Sequence, residues 1–503
     1  MVWLESLQQR HGKKWLIIPA ILFANMLIIE IGFLMLSSYF GDINLIVSDF
    51  IGVDINFMLL VLLIVALPLT YTGLFLIFKV KKLIKTGSIK PHLIHSILSI
   101  FLIILFDILV YILIDQLGGY AITLIHLFDF YFLFIFLVIN LLLICSLYFV
   151  LKLALVLQNY LSDTILKPKP KKAIILGCVV GLYTFSFAMP FFFVPTNVIN
   201  WDLPPKPDII AHRGASHIAP ENTIAAAEMT VVSRAVGWEI DVQISYDGIP
   251  FLMHDNTLTR TTNVEEVFPD RTNQDASLFN ISELRQLDAG SWFVDKDPYG
   301  ALAKGIITQE QAEQYRGEKI PTLDEVLSFT KNNDLLIDFD TKGIPSDHPY
   351  HDSYREKIVE YILNSGIEHS NVLIGYNEYY EQQLPNLMFT GGNSLNVQQW
   401  LADKYDLINT GDGFTNDEYR ARFEASIPVM VYTIDTVERF SELWCLGVKW
   451  VKTNEPHTFQ NITAPPWVMT LSNYYLLWIL VYIIGISAVL SLYFLKIKRS
   501  QQD

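Results

Sequence analysis

Two patterns of hydrophobic and polar residues divide the 503-residue chain. The first is a set of apolar stretches of roughly 20 or more residues, the length needed to cross about 30 Å of hydrocarbon. Each stretch predicts a transmembrane helix, and together they predict an all-α six-helix transmembrane region. The stretches lie near residues 15–39, 58–79, 92–114, 122–150, 173–195 and 468–495.

The second pattern fills the residues between the fifth and sixth apolar stretches. Short runs of β-type residues alternate there with helical segments, which is typical of a parallel sheet with helical crossovers. A (β/α)8 TIM-type barrel takes eight strands, so one of the nine runs is surplus, and the pattern does not indicate which. The runs are DIIAHRG, GWEIDVQIS, IPFLMHD, LLIDFD, NVLIGY, NLMFTGG, DLINTG, IPVMVYTID and GVKWVKTN. The polar stretch at about 265–320 exceeds a barrel connection and predicts an inserted cap segment.

Basic residues in the short connections predict the orientation of the helices. The segments QQRHGKKW, KVKKLIKTGSIK, KPKPKK and KIKRS are basic, whereas the connections between them are acidic. We therefore predict a multi-pass membrane protein, at the plasma membrane, with both termini in the cytoplasm. Its parts are five helices with basic cytoplasmic loops in 1–195, an extracellular barrel in 196–466, and a sixth helix with a short cytoplasmic tail in 467–503.

Charge and cysteine content exclude two classes of protein. Residues 196–466 contain 41 Asp and Glu against 20 Lys and Arg, while the whole chain has a net charge of −15. An acidic outer domain of this kind argues against a nucleic-acid partner. Of three cysteines, only Cys445 lies in 196–466, so this domain has no disulfide framework.

Acidic residues alternate with apolar ones in two of the predicted strands. Glu239 and Asp241 project from one face of GWEIDVQIS, and Asp338 and Asp340 from one face of LLIDFD. Converging carboxylates without cysteine describe a site for a hard divalent cation, Ca²⁺ or Mg²⁺, and make Zn²⁺ less suitable.

Two histidines and an arginine follow predicted strands in the same region. His212 and Arg213 end IIAHRG, and His254 ends FLMHD. Imidazole suits both proton acceptance and proton donation near neutral pH. The guanidinium of Arg213 suits a phosphate oxygen. This combination points to hydrolysis of a phosphodiester, with one histidine as proton acceptor and the other as donor.

These residues stand in segments that resemble the glycerophosphodiester phosphodiesterase family, in particular its multi-pass membrane branch with an extracellular catalytic domain. The matching segments are HRGASHIAPENT, WEIDVQISYDGIPFLMHD, LTRTTNV, IPTLDEVL, VYTID and GVKWVKTNEP. The resemblance implies a (β/α)8 barrel, catalytic His212 and His254, phosphate-binding Arg213, and metal ligands Glu239, Asp241 and Asp338. It also implies glycerophosphodiester substrates that yield glycerol 3-phosphate and an alcohol, or lipid-linked diesters such as glycosylphosphatidylinositol anchors. Membrane lipids are the further partners that it implies.

The chain departs from the family pattern at two places. Where many members have Glu-x-Lys, it has Asp338 and Asp340, with Lys342 two residues further on, so Asp340 and Lys342 are further site candidates. Where members have Thr-Asp-x-Pro, it has Thr453 followed by Asn454, which we expect to support the barrel rim.

Three questions stay open at the level of sequence. Glu221 suits either the N-terminus of the following helix or a hydrogen bond into the site. The intramembrane carboxylates Glu30, Asp107 and Asp129 suit either a lipid path or pairing inside the helix bundle. Finally, a barrel that only binds a head group or a partner protein is the non-enzymatic alternative.

Overall fold

The computed structural model describes residues 16–35, 56–86, 93–116, 131–148, 170–199, 202–466 and 468–500. They belong to two compact units, residues 1–132 and 133–503. Asp129 and most of the acidic connections used for orientation lie outside the described residues.

Helices occupy all six segments predicted to span a membrane. Four of them contain spans that are long and apolar enough to cross a membrane among the residues searched: Phe57–Lys82, Ile94–Tyr111, Tyr131–Tyr148 and Leu471–Leu495. A shorter apolar helix covers Ile18–Leu34. The full bounds are α1 Ile17–Met35, α2 Phe57–Thr86, α3 Leu93–Gln116, α4 Tyr131–Tyr148, α5 Pro170–Phe192 and, at the end of the chain, α18 Leu471–Ser500.

The first unit packs α1 against α2 and α3 through apolar side chains that include Met26 and Phe106. A polar contact also joins α1 and α3, since Asn25 Nδ2 donates to Asp107 Oδ1 at 2.8 Å. Asp107, although exposed, is thus hydrogen-bonded to a neighbouring helix.

The barrel in the second unit is formed by eight parallel strands. Their order around the barrel is β7-β6-β5-β3-β2-β10-β9-β8. A single parallel bridge between Thr390 and Leu407 joins the two ends of this order, so the predicted (β/α)8 fold is confirmed. The strands are β2 Asp208–Ala211, β3 Gly237–Ile244, β5 Leu336–Thr341, β6 Val372–Gly375, β7 Met388–Thr390, β8 Ile408–Gly411, β9 Val429–Tyr432 and β10 Trp450–Thr453.

The surplus run is IPFLMHD, which forms the short strand β4, Pro250–Leu252. β4 pairs antiparallel with the end of β3, with Val242 opposite Leu252. The turn between them holds Asp247 and Gly248 (φ +87°), and so short a connection joins only antiparallel strands. Consequently His254 follows a hairpin strand and not one of the eight barrel strands.

One face of β3 faces the surrounding helices and the other faces the barrel interior. Trp238, Ile240 and Val242 are fully buried in the main core with Leu323 and Val326. Because side chains alternate along a strand, Glu239 and Asp241 point the opposite way. The remaining helices are α6 Ile224–Val232, α11 Leu323–Asn332, α12 Tyr354–Ser365, α13 Glu378–Gln383, α14 Val397–Leu401, α15 Asn416–Glu424, α16 Val437–Cys445 and α17 Pro456–Gln460.

The segment between β4 and α11 forms the inserted cap. It has two small apolar cores, one around Phe251 and Phe279 and one that packs Phe293 and Tyr315 on the loop after β2. The second core ties the cap to the loop that carries His212 and Arg213. Cap helices are α7 Val264–Val267, α8 Ile281–Leu284, α9 Ser291–Lys296 and α10 Gln309–Glu313.

A two-stranded parallel sheet joins α5 and α18 next to the barrel. It pairs β1, Val198–Ile199, with β11, Met469–Thr470. Tyr474 Oη donates to Phe193 O at 3.0 Å, which adds a direct link between the two helical segments.

Candidate active site

Four carboxylates from β3 and β5 face the barrel interior in two layers. In the parallel register Glu239 lies beside Asp338, and Asp241 beside Asp340. Glu239, Asp241 and Asp338 are at most 2% exposed, whereas Asp340 is exposed at the rim. Burial, followed by the nearby Asp241 carboxylate, raises the pKa of Glu239. So much negative charge in a buried site requires cations to offset it.

Glu239, Asp241 and Asp340 form the candidate metal centre. Each offers one carboxylate oxygen, and these oxygens lie within 4.8 Å of one another. An all-oxygen donor set with this charge fits a hard cation such as Ca²⁺ or Mg²⁺. Of the acidic residues predicted to bind the metal, the structure thus brings together Glu239 and Asp241, and adds Asp340.

Asp338, the third predicted ligand, makes different contacts. Its Oδ2 lies 2.5 Å from Lys452 Nζ and accepts from Asn409 Nδ2 at 3.3 Å. Burial alone lowers the pKa of Lys452, but the charges of Asp338 and Glu239 outweigh it and raise the pKa. Asp338 therefore belongs to a buried ion pair.

Lys342 lies between two of the candidate ligands. Its Nζ is 2.7 Å from Asp241 Oδ1 and 2.6 Å from Asp340 Oδ2. These attractions raise the pKa of Lys342 although its burial acts in the opposite direction. The ammonium group thus neutralises oxygens that a divalent cation would also bind.

Arg213 contacts three acidic side chains at once. Its backbone N–H donates to Glu239 Oε2 at 3.0 Å, its Nε lies 3.3 Å from Asp241 Oδ2, and its Nη1 donates to Glu221 Oε1 at 3.1 Å. The left-handed backbone of Arg213 (φ +56°) continues into Gly214 (φ +78°). A Cβ on Gly214 would lie 2.6 Å from the Cβ of Ala226, so only glycine fits this turn.

His212 has a defined tautomer. Its Nδ1 is 2.8 Å from Asn454 Oδ1, an acceptor, so Nδ1 carries the proton. Asn454 is itself oriented by Asp435, which accepts from its Nδ2 and its backbone N–H, both at 2.7 Å. Nε2 of His212 therefore bears the lone pair, 3.8 Å from Glu239 Oε2. Burial and then the charge of Arg213 lower the pKa of His212 to about 4, which keeps it neutral.

His254 is held by a carboxylate. Its Nδ1 lies 2.8 Å from Asp255 Oδ1, and its side chain is 35% exposed. The hairpin brings it to the level of the carboxylates, since Met253 N donates to Asp241 O at 2.9 Å. The contact with Asp255 on Nδ1 fixes the orientation of the imidazole.

The contacts of Glu221 distinguish the two roles considered for it, at the N-terminus of the following helix or in a hydrogen bond into the site. The N-cap of α6 is Thr223, whose side chain accepts from Ala226 N. Glu221 turns instead to Arg213 and Arg260, with Arg260 Nη1 and Nη2 each 2.8 Å from its oxygens. Hydrogen bonds and charge from the two arginines lower the pKa of Glu221 against the opposing effect of its burial.

Sequence reasoning did not single out four residues that complete the site. Lys452 and Arg260 are cations that pair with Asp338 and Glu221, which are distant in the sequence, so no local spacing marks these pairs. Asn222 Nδ2 donates to Asp241 Oδ2 at 2.7 Å. Asp255 follows His254 directly, and this adjacency was the one available signal.

The comparison with known families assigns this domain. Residues 212–458 match the glycerophosphoryl diester phosphodiesterase family. Residues 212–458 are therefore similar to that family, and the resemblance predicted from the sequence is confirmed.

Two relatives illustrate the extent of the similarity. The glycerophosphodiester phosphodiesterase domain-containing protein 5 of Gallus gallus is 35% identical over 308 residues, covering 60% of this chain and 50% of the relative. The glycerophosphoinositol inositolphosphodiesterase GDPD2 of Mus musculus is 32% identical over 338 residues, covering 65% and 61%. The match thus spans about half to three fifths of these relatives.

Two solved structures also match half of this chain. A phosphodiesterase of Oleispira antarctica in complex with the product sn-glycerol-3-phosphate has a TM-score of 0.40 and 22% identity, covering 50% of this chain and 95% of its own. A glycerophosphodiester phosphodiesterase of Agrobacterium tumefaciens has a TM-score of 0.39 and 23% identity, covering 51% and 100%.

Proposed function

We propose that the chain hydrolyses glycerophosphodiesters outside the cell in a metal-dependent reaction that gives glycerol 3-phosphate and an alcohol. One observation carries this proposal: two histidines lie at a carboxylate centre, and their Nδ1 atoms have chemically different hydrogen-bond partners. His212 donates from Nδ1 to an amide oxygen, whereas Nδ1 of His254 meets a carboxylate.

These partners assign the two proton transfers. His212, neutral and with its lone pair on Nε2, accepts a proton from the water molecule that attacks phosphorus. His254, oriented by Asp255, donates a proton to the oxygen of the departing alcohol. A new P–O bond forms as the bond to the alcohol breaks, and the proton gained by one histidine balances the proton lost by the other.

The remaining groups bind the phosphate and offset its negative charge. Arg213 faces the centre, and its planar guanidinium suits two phosphate oxygens. A divalent cation held by Glu239, Asp241 and Asp340 supplies electrostatic stabilisation of the phosphoryl oxygens. Either Ca²⁺ or Mg²⁺ is compatible with these ligands.

Hydrolysis by the purified full-length protein tests the proposal. The substrates are glycerophosphocholine, glycerophosphoethanolamine and glycerophosphoinositol, each with Ca²⁺, Mg²⁺ or EDTA. The mouse relative's name supports inclusion of glycerophosphoinositol. We expect turnover of at least one diester with a divalent cation and none with EDTA. Failure with every diester and both metals contradicts the proposal.

The basic connections support cytoplasmic termini and an extracellular barrel at the plasma membrane. Protease digestion of intact cells expressing a chain tagged at both ends tests this topology. We expect cleavage within the barrel while both tags stay protected. Protection of the barrel would contradict the extracellular location.

A lipid-linked diester is the second candidate substrate, and one contact favours it. Asn416, the first residue of α15 on the catalytic face of the barrel, donates to Thr196 shortly after α5. The catalytic rim therefore lies beside the helices α5 and α18, which are predicted to enter the membrane. Head groups of membrane-bound diesters are within reach of such a rim.

The protein in lipid nanodiscs distinguishes the two substrates. A glycosylphosphatidylinositol-linked peptide in the same bilayer competes with soluble glycerophosphocholine. Preferential release of the peptide supports the lipid-linked candidate. Release of glycerol 3-phosphate alone assigns the soluble diester.

A further inference from the structure

Arg260, in the cap segment, connects the two halves of the catalytic centre. Its guanidinium makes four hydrogen bonds, two to Asp255 at 2.6 and 3.0 Å and two to Glu221 at 2.8 Å each. We propose that Arg260 is a positioning residue that holds His254 and Arg213 in place together, through Asp255 and Glu221. This inference rests on the proposed phosphodiesterase function.

The four hydrogen bonds of Arg260 to Asp255 and Glu221 form what we call the Arg260 clamp. Its first half, the contacts with Asp255, fixes His254. Asp255 accepts from Arg260 on both oxygens, and its Oδ1 also meets His254 Nδ1 at 2.8 Å. The two Arg260 contacts therefore fix the plane of the carboxylate that orients the imidazole. Without Arg260, Asp255 is free to rotate, and His254, which is partly exposed, loses its fixed direction.

The second half of the clamp fixes Arg213. Glu221 Oε1 accepts from both Arg260 Nη2 and Arg213 Nη1. Glu221 is buried, so its position depends on these two cations. Loss of Arg260 leaves Glu221 bound to Arg213 alone and shifts the guanidinium that would bind phosphate.

The geometry requires arginine at this position. A guanidinium presents five donors in one plane and binds two carboxylates side by side, whereas a lysine ammonium is a single point of charge. The charges around Arg260 nearly balance, because the two arginines Arg213 and Arg260 face the two carboxylates Glu221 and Asp255. An ion pair of this type also stabilises a fold, so a matched comparison is needed.

Arg285 provides that comparison in the same domain. It makes a two-point ion pair with Glu325, with both contacts at 2.9 Å. Its side chain is 37% exposed, close to the 39% of Arg260. Neither Arg285 nor Glu325 contacts a candidate catalytic group among the described residues, so Arg285→Met removes a two-point ion pair, with a more exposed carboxylate, without touching the site.

Steady-state kinetics with the full-length protein test the clamp. Asp255→Asn should lower mainly kcat and Glu221→Gln should raise mainly KM, whereas Arg260→Met should do both. A misplaced catalytic group costs about 10²-fold, so we expect kcat of Arg260→Met to fall on that order. Added guanidinium ions should restore part of the lost rate, and Arg260→Lys should restore less than guanidinium. Arg285→Met should match the wild type, and equal kinetics for Arg260→Met and Arg285→Met would overturn the clamp.

A second readout does not depend on turnover. Diethyl pyrocarbonate modifies exposed imidazoles, and mass spectrometry follows the rate at His254 in each folded variant. We expect several-fold faster modification in Arg260→Met and Arg260→Lys than in the wild type or Arg285→Met. Equal rates would refute the positioning role. A wild type that shows the expected modification rates but no turnover would instead refute the proposed function.

Discussion

Asn454 Oδ1 accepts the Nδ1 proton of His212 at 2.8 Å and also a hydrogen bond from Ser216 at 2.7 Å. The residue that departs from the family pattern Thr-Asp-x-Pro thus sets the tautomer of a candidate catalytic base. We predict that Asn454→Leu lowers kcat by about 10–10²-fold, part of the 10²–10⁴ supplied by acid–base catalysis. Asn454→Asp keeps an acceptor and should retain most activity. Asn461→Ala, which alters an exposed amide elsewhere, is the control; if Asn454→Leu is equally active, tautomer control is excluded.

Substitutions of the histidines and substitutions of the carboxylates should have different effects on metal affinity. We expect His212→Ala and His254→Ala each to lower kcat by about 10²–10⁴-fold while metal affinity, measured by calorimetry, stays nearly unchanged. Glu239→Ala and Asp241→Ala should weaken metal binding directly. Histidine variants that lose the metal, or carboxylate variants that keep it, would invert these roles. A cellular phenotype fully preserved in inactive His212→Ala would favour the non-enzymatic scaffold.

Asp338 and Asp340 should have different roles, in stability and in metal binding respectively, although they lie on one face of β5. Asp340→Asn removes a candidate ligand and should weaken metal binding. Asp338→Asn leaves the buried Lys452 without its counter-charge, which costs about 3 kcal/mol of folding stability, and should lower Tm. If Asp338→Asn instead abolishes metal binding at an unchanged Tm, Asp338 is the ligand.

Lys342 should compete with the metal. Its ammonium group contacts Asp241 and Asp340, so binding of a cation must displace it. We predict that Lys342→Met binds Ca²⁺ or Mg²⁺ more tightly than the wild type in calorimetry and has a lower Tm without metal. Lys357→Met, which removes a surface ion pair with Glu360, is the control. Weaker metal binding by Lys342→Met would show that the lysine supports the site.

Glu221 should make stability depend on pH in a defined range. Its pKa is lowered from 4.5 in the folded protein, so its stabilising effect is complete above the unfolded pKa of about 4.3 and is lost as pH falls through the lower folded pKa. The Tm difference between wild type and Glu221→Gln should therefore be constant from about pH 6 to 8 and shrink below about pH 4. A difference that persists undiminished at acid pH would contradict this assignment.

Alternation along the strands predicted the inward-facing carboxylates, and the family resemblance implied the barrel and the roles of the other site residues. Strand periodicity places Glu239, Asp241, Asp338 and Asp340 on inward faces, whatever their partners. It does not encode depth, so it could not show that Asp338 lies a layer below Asp340 and within reach of Lys452. That contact depends on the relative register of β5 and β10, which are distant in the sequence.

The hairpin was predictable in principle. Asp247 and Gly248 form a turn signal between two β-type runs, and this spacing favours antiparallel pairing. This signal identifies IPFLMHD as the surplus run among the nine. By contrast, the clamp of Arg260 had no local signal, because it joins residues 221, 255 and 260 only after the cap has folded.

The barrel closes through a single bridge, between Thr390 and Leu407, whereas its other neighbouring strands share longer ladders. Asn393 Nδ2 reinforces this seam by donating to Asn409 O at 2.7 Å. Local opening requires the least free energy where the fewest hydrogen bonds must break. Amide hydrogens of β7 and the start of β8 should therefore exchange with solvent before those of β3 and β5, so thermal fluctuation begins opposite the metal-binding strands and leaves the carboxylates in place.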